Sequence, residues 1–308
     1  MFAAAFRRLP DGAAKRWCYE RLYLPYFEWR PLQVTTRTTF GARMLLRLPD
    51  SIQTPLFLTG RWEPVLTDLI VNALSPGDVF IDVGANAGYY TLLAATAVRD
   101  AGRVYAFEAS PGLYQLLSEN VAANHFSNVQ LSCVAVGDAP GACTIFAPRS
   151  SNAGHGTIVP AVAEREGHRA EAVVRCDVLS ALMPLHDLLR ARVVKIDIEG
   201  AERMAVEGIV AHLPQFSVET EWLIELSPEF CPGGQADVER IFSVFIAAGY
   251  RAFLVKNDYS IEFLYGEQSD SSLVCLHAAP SDRLNDVLFS RRRRDPTGTR
   301  RDPDALER

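Results

Sequence analysis

Apolar positions along this chain follow two rhythms. Compact runs rich in valine, isoleucine and phenylalanine occur at residues 79–83, 103–107, 129–134, 193–198, 216–226, 250–255 and 272–277. Between most of them lie stretches whose apolar residues recur every three or four positions, at 89–98, 111–123, 201–211 and 236–248. The first kind predicts buried strands and the second amphipathic helices. Strands alternating with helices predict βαβ units, and so an α/β fold with helices on both faces of a mostly parallel sheet. No helical stretch separates the last two runs, which predicts an antiparallel edge strand on a seven-stranded sheet.

Three regions fall outside this rhythm. Residues 2–26 mix alanines, basic residues and aromatics, which predicts an amphipathic helix lying on the main domain. After it come "LQVTTRTTF" and "RMLLRLP", joined through Gly41 as a hairpin. Residues 1–56 are therefore assigned to an N-terminal extension and 57–290 to the main domain. Within that domain the interval at about 139–192 is longer than a crossover requires and predicts a functional insertion. Residues 291–308, "RRRRDPTGTRRDPDALER", hold almost no apolar residue and predict a disordered charged tail.

Composition narrows the partners. A formal charge of -6 over 308 residues argues against a protein that grips nucleic acid along its surface, so a small ligand is expected. The six cysteines form no C-x-x-C pair and read as free thiols of a reducing compartment. The apolar run at the start is too short for a signal-peptide core, and no window approaches a membrane span, so a cytoplasmic location is expected.

Candidate chemistry gathers where the first strand meets its helix. "DVGANAG" places Gly84 and Gly88 in a sharp turn, with the amide-rich start of a helix behind it. Asn86 stands where a dinucleotide fingerprint requires its second glycine, which weighs against a pyrophosphate and a nicotinamide-dependent oxidoreductase. Glu108, twenty positions past Gly88, ends the next strand where a carboxylate can take both hydroxyls of a ribose. A ribose without a pyrophosphate, with an amino-acid end near Asp82 and Gly84, describes S-adenosylmethionine. Asn120 and Asn124 share a helix face that can fix the loop above them. Asp138 closes the third strand, within reach of an adenine amino group.

The strings "PGDVFIDVGANAGYYTLLAA", "YAFEASPGLYQLLSENVAAN", "VAVGD" and "VVKIDIEGAERMAVEGI" together resemble the FkbM family of S-adenosylmethionine-dependent methyltransferases. The resemblance runs from about Phe57 through Leu226, and "KIDIEGAE" is its most specific block. It implies the class I methyltransferase Rossmann-like fold and methyl transfer to a hydroxyl, often of a sugar or secondary metabolite. Carried onto this chain, the cofactor residues are Asp82, Gly84, Asn86, Gly88, Glu108, Asp138 and Asp197. Ala109 departs from the proline often found there, while Glu108 and Pro111 remain.

A hydroxyl acceptor must also lose a proton. Asp197 and Glu199 lie two apart and hence on one side of a strand, with Lys195 in the same alternation. Asp197 is assigned to positioning the methionine end or the acceptor, and Glu199 to orienting the turn or capping the helix that follows. "VETEWLIEL" sets Glu219, Glu221 and Glu225 on one face of the fifth strand, and His155 lies between glycines in the insertion. Glu221 and His155 are candidate bases, and magnesium held by Asp197 and Glu221 is an alternative. A cofactor-binding but catalytically silent subunit is the remaining alternative to an enzyme.

Overall fold

The computed structural model describes residues 2–27, 30–148, 156–256, 264, 273–280 and 285–292. The strands are β1 (Leu32–Arg37), β2 (Arg43–Leu48), β3 (Val79–Val83), β4 (Arg103–Glu108), β5 (Val129–Cys133), β6 (Ala135–Val136), β7 (Gly141–Ala147), β8 (Arg169–Asp177), β9 (Val193–Ile196), β10 (Glu221–Leu226), β11 (Arg251–Val255), β12 (Leu273–Leu276) and β13 (Asn285–Ser290). Eight of them form the central sheet, in the order β12-β11-β13-β10-β9-β3-β4-β5.

Pairing is parallel from β5 through β4, β3 and β9 to β10, as the βαβ rhythm predicts. Strand β12 closes the edge antiparallel to β11. The expected seven strands become eight because β13 enters between β10 and β11, antiparallel to both. Its apolar run, Val287 to Phe289, is only three residues long and fully buried, too short for periodicity to separate a strand from a loop.

Alternation along the central strands builds two cores, one on each face. Val79, Ile81 and Val83 join one core, where Trp222, Ile224 and Leu226 of β10 meet them. Phe80 and Leu223 point into the other, against the helix Tyr89–Val98. Both faces of the parallel strands are thus covered, as apolar strands without a polar face demand.

The N-terminal region is not one helix. Pro10 to Gly12 interrupt it, leaving Phe2–Phe6, Ala13–Cys18, a π-helical turn Tyr19–Tyr23 and Leu24–Phe27. Phe6, Tyr19 and Tyr23 pack on Leu58. Arg7 anchors the segment by donating to the carbonyls of Leu58 (3.0 Å) and Phe57 (2.9 Å) and to Thr36 Oγ1 (2.8 Å).

Strands β1 and β2 form the predicted hairpin, and the asparagine pair docks it. Asn120 Oδ1 accepts from Leu45 N (2.6 Å), its Nδ2 donates to Leu45 O (3.1 Å), and Asn124 does the same for Arg43 at 2.7 Å each way. These two side-chain amides imitate a neighbouring strand for β2. Asn120 Nδ2 also reaches Ala87 O (2.8 Å), so one residue links the hairpin to the glycine turn. The insertion adds a second sheet, β6-β8-β7. Among the described residues no helix is long and apolar enough to cross a membrane.

Candidate active site

After β3 the chain continues to β4 on one side, and it later returns to β9 on the other. Strand order therefore reverses at β3, and a crevice opens beyond the carboxyl ends there. A cavity of about 290 Å³ occupies it, lined by the ends of β3, β4, β9 and β10, by the insertion and by the N-terminal extension.

Gly84 makes the turn possible. Its φ is +84°, and its N–H and that of Ala85 both donate to Phe107 O at 3.0 Å, clamping the turn to β4. Asn86 also has positive φ (+52°), a region that asparagine tolerates better than most residues. Asn86 N–H donates to Glu108 Oε2 (2.8 Å), and Ser110 N–H to Oε1 (2.8 Å). Glu108 thus faces the same hollow as Gly84, with lone pairs left for a ligand on both oxygens. Burial pushes its pKa up to about 7, against the pull of the two backbone donors.

Beside Glu108 the wall turns apolar, with Phe107, Leu113, Val134, Ala135, Ile145 and Ile158. A carboxylate at the mouth of an apolar slot has the chemistry that a nucleoside site requires, an apolar surface for a flat base and an acceptor for hydroxyls.

The predicted site residues separate. Gly84, Asn86, Glu108, Asp197 and Glu199 line the cavity. Asp82 lies beneath it, almost fully buried, accepting from Thr91 Oγ1 (2.6 Å) through Oδ2. Gly88 is also outside the lining. A Cβ there would lie 2.6 Å from Leu117 Cδ1, so it serves close packing against the helix Pro111–Ala122. Asp138 is exposed in the turn after β6, and Val134 to Val136 hold the place expected for it.

Glu221 is at the wrong end of the sheet. It pairs in register with Val193, the first residue of β9, and is fully buried against Arg192 (3.2 Å) and Ser290 Oγ (3.2 Å). Magnesium cannot be shared by Asp197 and Glu221, because four strand residues, roughly 13 Å, separate Glu221 from the carboxyl end. The residue there is Glu225. Its carboxylate, with those of Asp197 and Glu199, places oxygens within 4.8 Å of one another. His155 lies outside the described residues.

Lys195 and Asp197 point the same way and form an ion pair (2.7 Å). Burial opposes the lysine's charge, but Asp197, Asp82 and Glu63 hold its pKa above the ordinary value. Glu199 adopts φ +52°, and burial, then the Asp197 charge, pushes its carboxyl well above the usual range. Burial and the same neighbour do so for Glu225. The helix Glu202–Glu207 has Ala201 at its N-cap and no side-chain cap there, and it is Glu202 that braces the turn before it, its carboxylate accepting from Ile198 N (3.0 Å) and Gly200 N (3.0 Å).

Sequence reasoning missed the wall supplied by Ser51 and Ile52 of the extension and by Trp62 and Glu63, which follow it at the start of the main domain. Glu63 precedes Pro64 at the start of the helix Pro64–Ala73, where an acidic residue reads as ordinary helix entry. The tertiary fold brings it to the cavity, where the Tyr90 hydroxyl donates to its Oε2.

Among solved structures, the chain is similar to an FkbM methyltransferase from Methylobacillus flagellatus KT, at 13% identity and a TM-score of 0.41, over 78% of this chain and 52% of that one. It is similar to an S-adenosylmethionine-dependent O-methyltransferase from Thermotoga maritima, at 12% identity and a TM-score of 0.39, over 85% and 79%. Precorrin-6Y C5,15-methyltransferase from Geobacter metallireducens GS-15 matches at 11% identity and a TM-score of 0.40, over 73% and 86%. No curated protein matches the chain. Residues 82–252, more than half of the sequence, match the family model of the methyltransferase FkbM domain. The chain therefore belongs to the FkbM family of S-adenosylmethionine-dependent methyltransferases.

Proposed function

We propose that this methyltransferase acts on a hydroxyl oxygen of a small molecule, a sugar or a secondary metabolite. One observation carries the reading: beyond the nucleoside slot, the same cavity holds four carboxylates, Glu63, Asp197, Glu199 and Glu225, closed in by Trp62 and Ile52. A hydroxyl needs an acceptor for its proton and groups that hold its oxygen in place, and ionised or neutral carboxyls provide both.

S-adenosylmethionine supplies an already activated methyl group, so the protein's task is largely to align the acceptor and remove a proton. Glu108 would hold the ribose, and the turn from Gly84 to Asn86 would lie against the amino-acid end. Asp82 and Gly88 support that turn from below and behind. Asp197, fixed by Lys195, would position the amino-acid end or the acceptor, and Glu199 would hydrogen-bond the acceptor. Asp138, exposed past β6, would reach an adenine only at the outer rim. Trp62 and Ile52 restrict the space to a compact acceptor.

The test is calorimetric titration with S-adenosylmethionine, followed by release of S-adenosylhomocysteine in the presence of sugar and polyketide hydroxyls. Cofactor binding with turnover on at least one hydroxyl class is expected. Binding without turnover on any of them would favour a silent subunit.

A further inference from the structure

Five carboxylates line the cavity, and four are engaged by backbone donors, by Lys195 or by one another. Both oxygens of Glu108 accept backbone N–H groups at the nucleoside end. Asp197 is ion-paired with Lys195. Glu199 and Glu225 crowd Asp197, with oxygens of all three within 4.8 Å of one another, and burial and the Asp197 charge push both carboxyls upward. Glu63 stands apart from this trio, on the wall beside Ile52 and Trp62.

We infer that Glu63, fixed by the Tyr90 hydroxyl on the cavity wall, accepts the proton of the acceptor hydroxyl. This rests on the hydroxyl-methylation reading above. Tyr90 donates to Oε2, and Oε1 has no bond among the described residues. The ring of Tyr90 is itself held under Lys195 Nζ, 5.1 Å from its centroid. Burial and then Glu63 keep the Tyr90 hydroxyl well above its usual range, so it remains a donor across the working pH.

The groups facing Glu63 set its proton affinity near that range. Burial raises its pKa to about 8; Asp286 from β13 and Asp197 beyond β9 add to the rise, while Lys195 from β9 and the Tyr90 bond oppose it. In the reaction the acceptor O–H bond breaks with its electrons left on oxygen. That oxygen takes the methyl group as the sulfur–methyl bond yields its pair to sulfur, and the proton goes to Glu63 and then to water.

The test uses full-length protein, S-adenosylmethionine and, as probes, methyl glycosides and hydroxylated polyketide lactones, with S-adenosylhomocysteine release followed from pH 6 to 10. Wild-type kcat should rise with pH through about 8. Glu63→Gln should keep cofactor affinity and KM, lower kcat by about 100-fold or more, and lose the rise. Formate should restore turnover to Glu63→Ala. Tyr90→Phe leaves the carboxylate but removes a bond that lowers its pKa, so the rise should move to higher pH. Carbon-13 NMR of labelled glutamates should show one carboxyl titrating near 8, absent from Glu63→Gln. Hydroxyl methylation that persists in Glu63→Gln with its pH profile intact overturns the inference alone, as does a Tyr90→Phe profile that does not move. A wild-type protein that binds the cofactor but methylates none of the hydroxyls overturns the reading of the site and the inference together.

Discussion

Gly84 and Gly77 share a backbone conformation, with φ of +84° and +94°, but not an environment. Around Gly77 a Cβ would meet nothing within 4 Å. At Gly84 it would lie 2.8 Å from the Asp197 carbonyl carbon and closer still to its oxygen, where ordinary contact begins near 3.4 Å. Gly77→Ala therefore carries only the left-handed backbone penalty, about 1–2 kcal/mol. Gly84→Ala adds crowding of roughly 1–3 kcal/mol. Relief requires the ends of β3 and β9 to part, which strains the Asp197 N–H to Val83 O bond (3.0 Å), worth about 1 kcal/mol. The expected losses are about 1–2 kcal/mol for Gly77→Ala and roughly 3–6 kcal/mol for Gly84→Ala. Urea unfolding measures both, and calorimetry under native conditions should show cofactor affinity lost only in Gly84→Ala. Equal destabilisation of the two variants, with wild-type affinity in Gly84→Ala, would refute the claim that close approach of β3 and β9 builds the site.

Glu108→Ala should weaken S-adenosylmethionine by roughly 1.5–3 kcal/mol, the worth of hydrogen bonds to a charged acceptor, and unchanged calorimetric affinity would remove Glu108 from the ribose site. Burial raises Glu108 and Glu202 to about 7 and Glu63 to about 8, so the folded state binds these protons more tightly than the unfolded chain. Stability from these groups is greatest below their ordinary value of 4.5 and falls as pH rises through 7 to 8, by on the order of 3 kcal/mol for each shift fully realised. The lowered Asp187 and Glu207 act only in more acidic solution, so a urea midpoint that climbs from pH 5 to pH 8.5 contradicts the assignment. Asn120→Ala strands Leu45 and Ala87 backbone groups and should cost about 2–4 kcal/mol, with the hairpin losing amide protection from hydrogen exchange first. Removing residues beyond Arg292 should leave small-molecule turnover intact, because Arg291 and Arg292 retain their bonds to Phe216 O, Ser217 O and Glu219; abolished turnover would point to a substrate held by the tail.

The central sheet was legible because its strands are apolar on both sides and its helices repeat at their own period, signals that are local in the chain. The glycine turn and Glu108 were legible for a related reason: a strand end followed by a conformationally permissive residue can be read from a few neighbours. What lay beyond the sequence was non-local. Strand β13 enters between β10 and β11, pairing antiparallel with both, and three apolar residues do not announce such partners. Glu221 and Glu225 share a strand face, and only the register with β9 tells that one meets Arg192 while the other meets Asp197. Glu63 reads as a helix entry, and only the tertiary fold sets it on the cavity wall against the Tyr90 hydroxyl. Periodicity determines which face a residue occupies, but the height along a strand and the partner across a crevice arise from contacts between distant segments, and those determine the charge that each carboxylate carries.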